Sequence, residues 1–233
     1  IHRIGVWIDG AISWFGDDPR WDIKTRMEDE ALASAIVATN AELEVSLIFK
    51  DVVYNEHTVF LREVTVHNNA SRGREIKLYF GHQFELFKSH GADTAFFDPK
   101  GHTLVHYKGQ RVFMINGEIE GGPFSDYTIG LANFQGMEGS HKDAEDGFLS
   151  KNPIEHGPVD SVVGFYGFYN GNESKKIHYW VVAARSIAEA THLNELVLKK
   201  TPRHIIKSTS DFWKAWVNKY DFNFHKLSPE IVA

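Results

Sequence analysis

The stretch Glu42-Leu43-Glu44-Val45-Ser46-Leu47-Ile48-Phe49 decides the class of fold. Leu43, Val45, Leu47 and Phe49 alternate with Glu42, Glu44, Ser46 and Ile48, and side chains two apart share a face only in an extended chain. The same period orders Ile76, Leu78, Phe80, His82, Phe84 and Leu86, and it dominates from residue 5 to about residue 184. Strand-breaking clusters separate the runs at 66–73, 98–101 and 169–174. In Asp98-Pro99-Lys100-Gly101 the proline sits where a type I turn wants a fixed φ, and glycine closes the turn. No strand–helix alternation appears, so the pattern predicts antiparallel, half-buried strands rather than a parallel sheet.

After Arg185 the period becomes helical. Ser186 followed by Glu189 is a capping box, and Ala190, Leu193, Leu196 and Val197 then recur at helical spacing. Pro202 ends that helix or opens the next segment. Ser210 is the expected cap of a second helix carrying Phe212, Trp213, Trp216, Val217 and Tyr220, followed by the aromatic stretch Phe222-Asn223-Phe224-His225. The segment 126–158 fits neither period. It is long and glycine-rich, and its acids concentrate at Asp143, Glu145 and Asp146.

With 233 residues the chain is long for one domain but within range for a single large all-β unit, and 42% hydrophobic residues suffice for its core. A formal charge of -6 argues against a nucleic-acid partner, which would want a clustered basic face. No apolar run is long enough to span a bilayer, so no membrane partner is expected. The absence of cysteine excludes disulfides, thiolate metal sites and a cysteine nucleophile. It also fits a reducing compartment, and a cytoplasmic location is the expectation. The chain opens on Ile1 rather than Met, and a natural N-terminus missing from this sequence is the expectation.

Motifs for chemistry mostly fail. His102 and His106 stand four apart in an expected strand, a spacing of roughly 13 Å that cannot serve one ion. His141 and His156 flank the acidic segment without metal-ligand spacing, and residues 143–147 miss the offsets and the downstream glutamate of a calcium loop. A nucleophile elbow and a phosphate cradle are both missing, so no cofactor or metal is expected. Glu118, Glu120, Asp126, Glu138 and Asp160 offer carboxylates, but spacing alone selects no acid–base pair among them.

Residues 133–150, Asn-Phe-Gln-Gly-Met-Glu-Gly-Ser-His-Lys-Asp-Ala-Glu-Asp-Gly-Phe-Leu-Ser, resemble a loop in prokaryotic members of glycoside hydrolase family fifteen, the glucoamylase-like enzymes with glucodextranases and some trehalases. So does the continuation Asn152-Pro153-Ile154-Glu155-His156-Gly157-Pro158-Val159-Asp160-Ser161. Gly5-Val6-Trp7-Ile8-Asp9-Gly10 with Ser13-Trp14, Phe60-Leu61-Arg62, Asp93-Thr94-Ala95-Phe96-Phe97-Asp98-Pro99, His106-Tyr107-Lys108-Gly109 and Phe212-Trp213-Lys214-Ala215-Trp216 are similar to the family as well. The resemblance therefore runs along nearly the whole chain.

That resemblance implies a mainly β fold, an antiparallel supersandwich of the galactose mutarotase-like kind over residues 1–185, lacking the family's first strands. Residues 186–233 are then a helical linker toward an (α/α)6 barrel of the same polypeptide. The barrel would supply two glutamates that hydrolyse α-glucosidic bonds with inversion, leaving no catalytic residue in this chain. The candidate binding or barrel-docking residues are His141, Asp143, Glu145, Asp146, Trp213 and Trp216. An α-glucan oligosaccharide is a second expected partner, and an exposed linker helix would favour self-association. Two alternatives follow the docking domain in rank. One is a carbohydrate-binding module with Trp7, Trp14 or Trp21 as stacking platforms. The other is a mutarotase-like epimerase using His82 with Glu85 or Glu118.

Overall fold

The computed structural model describes residues 2–27, 33–88 and 91–218. The strands in chain order begin with β1 (His2–Ile8), β2 (Ala11–Trp14), β3 (Asp22–Met27), β4 (Ser34–Asn40), β5 (Val45–Val53), β6 (Val59–Asn68) and β7 (Arg74–His82). They continue with β8 (Asp93–Asp98), β9 (Thr103–Lys108), β10 (Arg111–Ile119), β11 (Gly122–Pro123), β12 (Asp126–Leu131), β13 (Ile154–Gly157), β14 (Val159–Tyr169) and β15 (Ser174–Ala184). Two helices follow, α1 (Ile187–Lys200) and α2 (Pro202–Val217).

All strand pairs described are antiparallel. A smaller sheet has the order β12-β14-β7-β1-β2; a larger one runs β13-β8-β9-β10-β15-β6-β5-β4-β3, with β11 paired to β10. Val6, Leu78, Phe80 and Phe165 of the smaller sheet meet Leu47, Phe49, Val64 and Tyr179 of the larger in the sandwich core. Residues of opposite parity then face outward. On the larger sheet Leu61, Met114, Trp180 and Val182 are covered by Ala190, Leu193, Val197 and Ile205 of the helices. On the smaller sheet Trp14, Tyr79 and Val162 are covered by Ala144 and Leu149. Four layers result: a covering segment, two sheets and a helix pair.

The period-two reading holds in β5, where Val45, Leu47 and Phe49 are buried and Ile48 is 48% exposed. The second run stops earlier than its pattern suggests. β7 ends at His82 and residues 83–88 run on outside the ladder, with Phe87 at φ 58, yet Phe84 still packs against the sandwich core and Leu86 is buried. The segment 126–158 is not one loop. It holds β12, a 3-10 helix at Ser140–Asp146 and β13.

Ser186 caps α1 as expected: its hydroxyl accepts from the Glu189 amide at 3.2 Å, and the Glu189 carboxylate accepts from the Arg185 amide at 2.9 Å. Ser210 does not cap α2. Thr201 does, with Pro202 in the first turn where its missing N–H costs nothing. Ser210 lies inside the helix and donates back to the Ile206 carbonyl at 3.0 Å. Tyr220 and residues 222–225 lie outside the described residues. Among the described residues no helix is long and apolar enough to cross a membrane.

Candidate functional site

The densest polar cluster lies inside the sandwich, where β1 begins and β7 ends. Arg62 on β6 reaches Asp51 on β5 with two bonds of 2.7 and 2.6 Å, and its other terminal nitrogen lies 3.0 Å from His2 Nε2. His82 Nε2 lies 2.7 Å from the Tyr179 hydroxyl and its Nδ1 3.3 Å from Ser161 Oγ. His106 Nε2 is 2.8 Å from the same Oγ, and its Nδ1 is buried without a partner. His82 and His106 are buried, and burial disfavours their imidazolium forms. His2 keeps solvent exposure at the start of β1, and its ring is partly desolvated by the cluster. With the Arg62 charge beside it, His2 falls to about 4. His106 falls to about 3, and His82 is held well below its ordinary value, with His2 and His106 as secondary causes. These rings are neutral packing groups at neutral pH. An apolar cavity of about 300 Å³ opens beside them, lined by His2, Phe60, His82, Phe84, Tyr179 and Val181.

A second titratable row lies on the helix-bearing face of the larger sheet. His178 on β15 stands directly between Glu118 on β10 and Glu63 on β6, with 3.1 Å from each ring nitrogen to a carboxylate. Burial alone would lower His178, but the two carboxylates raise it to about 9, and Glu63 is held near 2, chiefly by His178. The imidazolium is thus a charged cross-strand staple.

This arrangement corrects the pairing of His82 with Glu118. Glu118 is bound to His178, whereas His82 bonds to Tyr179, and adjacent residues of β15 point to opposite faces. The larger sheet therefore separates His82 from Glu118. Glu85 is exposed in the segment following β7. His102 and His106 also part company. His102 occupies a turn at φ 49 with Nε2 at 3.0 Å from the Phe124 carbonyl, while His106 is in the core. Among the described residues no three His, Cys, Asp or Glu side chains are placed to hold a metal.

The acids of the recognisable segment serve its own backbone. Asp143 accepts from the Ser150 amide at 2.6 Å and Asp146 from the Phe148 amide at 2.9 Å. Glu145 pairs with Lys142 at 3.1 Å on the surface. His141 sets its ring edge against Trp14 at 6.0 Å and, with Arg3 and Asp160, lines a cavity of about 40 Å³. That space is on the scale of a water or two rather than a sugar ring. Asp160 anchors the segment by accepting from the Ser140 amide at 2.7 Å and its hydroxyl at 2.6 Å. Burial raises the Asp160 pKa, opposed by those two bonds.

The tryptophans sort differently from their expected roles. Trp14 and Trp21 are each 8% exposed, and Trp21 donates to Ser13 Oγ at 2.8 Å, so they are core rings rather than stacking platforms. Trp7 lies under the covering segment. Trp213 is half-buried against the helix–sheet core, whereas Trp216 is 59% exposed beside Phe212 and Val217. Sequence reasoning missed His2, Arg62 and Tyr179 as parts of one network, and also Lys77. Their shared signal is a polar residue inside an otherwise apolar strand pattern.

The sequence matches no family model and no curated protein. Solved structures do match. A bacterial glucoamylase crystallised with acarbose superposes with a TM-score of 0.72 at 12% identity, over 92% of this chain and 31% of that one. A human-microbiome protein provisionally named a kojibiose phosphorylase gives 0.55 at 7% identity, over 90% of this chain and 27% of its own. At such identities the likeness is one of fold: an antiparallel supersandwich with a terminal helix pair. The chain spans less than a third of either structure.

Proposed function

We propose that this chain is the non-catalytic N-terminal docking domain of a glucoamylase-like glycoside hydrolase whose complete form hydrolyses α-glucosidic bonds with inversion. The observation that carries this reading is the superposition of 92% of the chain on 31% of a bacterial glucoamylase. The resemblance of residues 133–161 to the glucoamylase-like family supports it. So does the site: among the described carboxylates, those of the recognisable segment and of the His178 row are engaged in structural bonds. Residues 1–185 would be the sandwich domain and 186–233 the linker. The catalytic carboxylates would stand on an (α/α)6 barrel of the same polypeptide, and specificity for an α-glucan would belong to that barrel. A cytoplasmic setting belongs to the same reading, supported by the absence of cysteine.

The test is an assay of the purified 233-residue chain on maltose, maltooligosaccharides and trehalose, with α-glucose mutarotation followed by polarimetry. No rate above buffer is expected in any of them. Turnover that survives repurification would overturn the docking-domain reading.

The exposed face of α2 supports the docking role. Phe212 is 43%, Trp216 59% and Val217 47% exposed on one short helix end, an apolar patch of the kind that marks a contact surface. In the isolated chain this patch should drive weak self-association. Sedimentation velocity should show a concentration-dependent dimer that Trp216→Ser reduces about tenfold in affinity, consistent with loss of a single aromatic anchor. A strictly monomeric parent chain at high concentration would count against the patch as a docking surface.

A further inference from the structure

Lys77 stands in the middle of β7, on the face turned away from the sandwich core, with a side chain only 1% exposed. A buried ammonium needs partners around it. Its Nζ donates to the Gly147 carbonyl at 2.7 Å and lies 3.5 Å from Glu75. Three rings complete the enclosure, with centroids at 4.5 Å for Trp7, 4.1 Å for Phe148 and 4.6 Å for Tyr166. The Tyr79 hydroxyl donates to the same carbonyl at 2.8 Å. Gly147 adopts φ 83, and a Cβ there would stand 2.5 Å from the Trp7 ring, so only glycine lets the backbone approach this closely.

The remaining attachment of residues 139–150 is thin. Its buried apolar side chains are Ala144 and Leu149, and it lies on the sheet as a 3-10 helix rather than as a paired strand. Its other bonds to the sheet run to Asp160, to Asp126 from the Leu149 amide at 3.1 Å, and to Thr128 from Ser150 at 2.8 Å. Beneath it the Trp7 indole N–H is buried without a partner, a cost that opening would relieve. Segments with little buried apolar surface open locally before the sheets that carry them.

We propose that residues 139–150 form a strap that opens as a unit, and that the caged Lys77 ammonium is the latch holding it shut. Opening uncovers the aromatic outer face of the smaller sheet, formed by Trp7, Trp14, Tyr79 and Tyr166. The latch is independent of the docking role, since it concerns only the strap and the sheet beneath it.

Amide hydrogen exchange of the 233-residue chain and trypsin cleavage after Lys142 and Lys151, whose side chains are 50% and 63% exposed, read the opening. Lys77→Met keeps the aliphatic length and removes the charge. Phe148→Ser removes one wall of the cage at a position 63% exposed, where folding is not at stake. Exchange in 139–150 should accelerate about tenfold or more in Lys77→Met and about threefold in Phe148→Ser, in keeping with desolvated and exposed cation–π contacts, while β14 and β15 keep their rates. If Lys77→Met fails to fold, Phe148→Ser decides alone. Wild-type strap rates in the folded variants overturn the latch. Acceleration of the strap only in step with β14 and β15 overturns it too, because Lys77 would then be an ordinary core residue.

Discussion

Replacing Trp180 by alanine should cost the fold about 3–5 kcal/mol, the range for removing a large buried aromatic without collapse of the space it leaves. Trp180 is completely buried, on the face of the larger sheet that carries the helix pair. Its indole N–H donates to Asn194 Oδ1 at 2.9 Å, and Asn116 on β10 donates to the same oxygen at 3.1 Å. One ring therefore joins β15 to α1 by apolar contact and by a hydrogen bond in a dry environment. The alanine variant leaves a cavity between sheet and helices. Its melting temperature should fall by roughly 10 °C, as expected for a chain of this length. Trp180→Phe should recover most of the packing and lose the bond to Asn194, a smaller loss of about 1 kcal/mol. Calorimetry checks both values, and a loss below about 1 kcal/mol for the alanine variant would show that the helix pair is not moored through this ring.

Acidification from pH 6.5 toward pH 4 should destabilise the chain steeply, chiefly through the buried His82 and His106. In the unfolded chain each takes up a proton near the ordinary value of about 6.5. In the fold, burial holds His106 to about 3 and His82 well below its ordinary value. His2, lowered to about 4 by partial desolvation and the Arg62 charge, remains open to solvent and adds less. Below pH 6.5 the unfolded state therefore binds more protons, and stability falls as pH falls. The upper limit is roughly 3 kcal/mol for each of the buried His82 and His106 by pH 4, at about 1.4 kcal/mol per pH unit, and the solvent-exposed His2 contributes less. Asp160, raised by burial, acts in the opposite sense at the acid end of this range. His178 acts on the alkaline side. Raised to about 9, it contributes fully below 6.5, and that contribution is lost as pH climbs toward 9. Stability should peak near pH 6.5. Urea midpoints across pH 4.5–6 should give a proton uptake on unfolding of about two, and His106→Leu should lower it by about one. An uptake below one would mean that these rings are not held neutral by the fold.

Much of the architecture was readable in the amino acids because strand faces and helix starts are local. Val45, Leu47 and Phe49 point inward for the same reason that they alternate with polar neighbours, and Ser186 caps α1 through bonds spanning a few residues. The misreading of Ser210 was also local. Pro202 and Ser210 both carry helix-start chemistry, and the choice between them depended on Thr201 at φ 67 beside a sheet that positions α2. The aromatic run 76–86 overran its strand because period two continued past His82, where the backbone turned away.

The candidate site was far less legible. Asp143, Glu145 and Asp146 were visible as an acidic cluster, but whether they face a ligand or their own backbone depends on the turn geometry of the strap. The His82–Tyr179–Ser161–His106 network joins residues from four strands, and Lys77 meets Gly147 across 70 positions. Such meetings follow from the register of β7 against β1 and β14. The sequence by itself determined a mainly β, antiparallel chain with two terminal helices, because periodicity is a property of neighbours in the chain. Only the tertiary structure decided which charges are buried, which histidines stay neutral and which tryptophan faces solvent. Those outcomes depend on what the folded sheets bring together and on how much water they exclude.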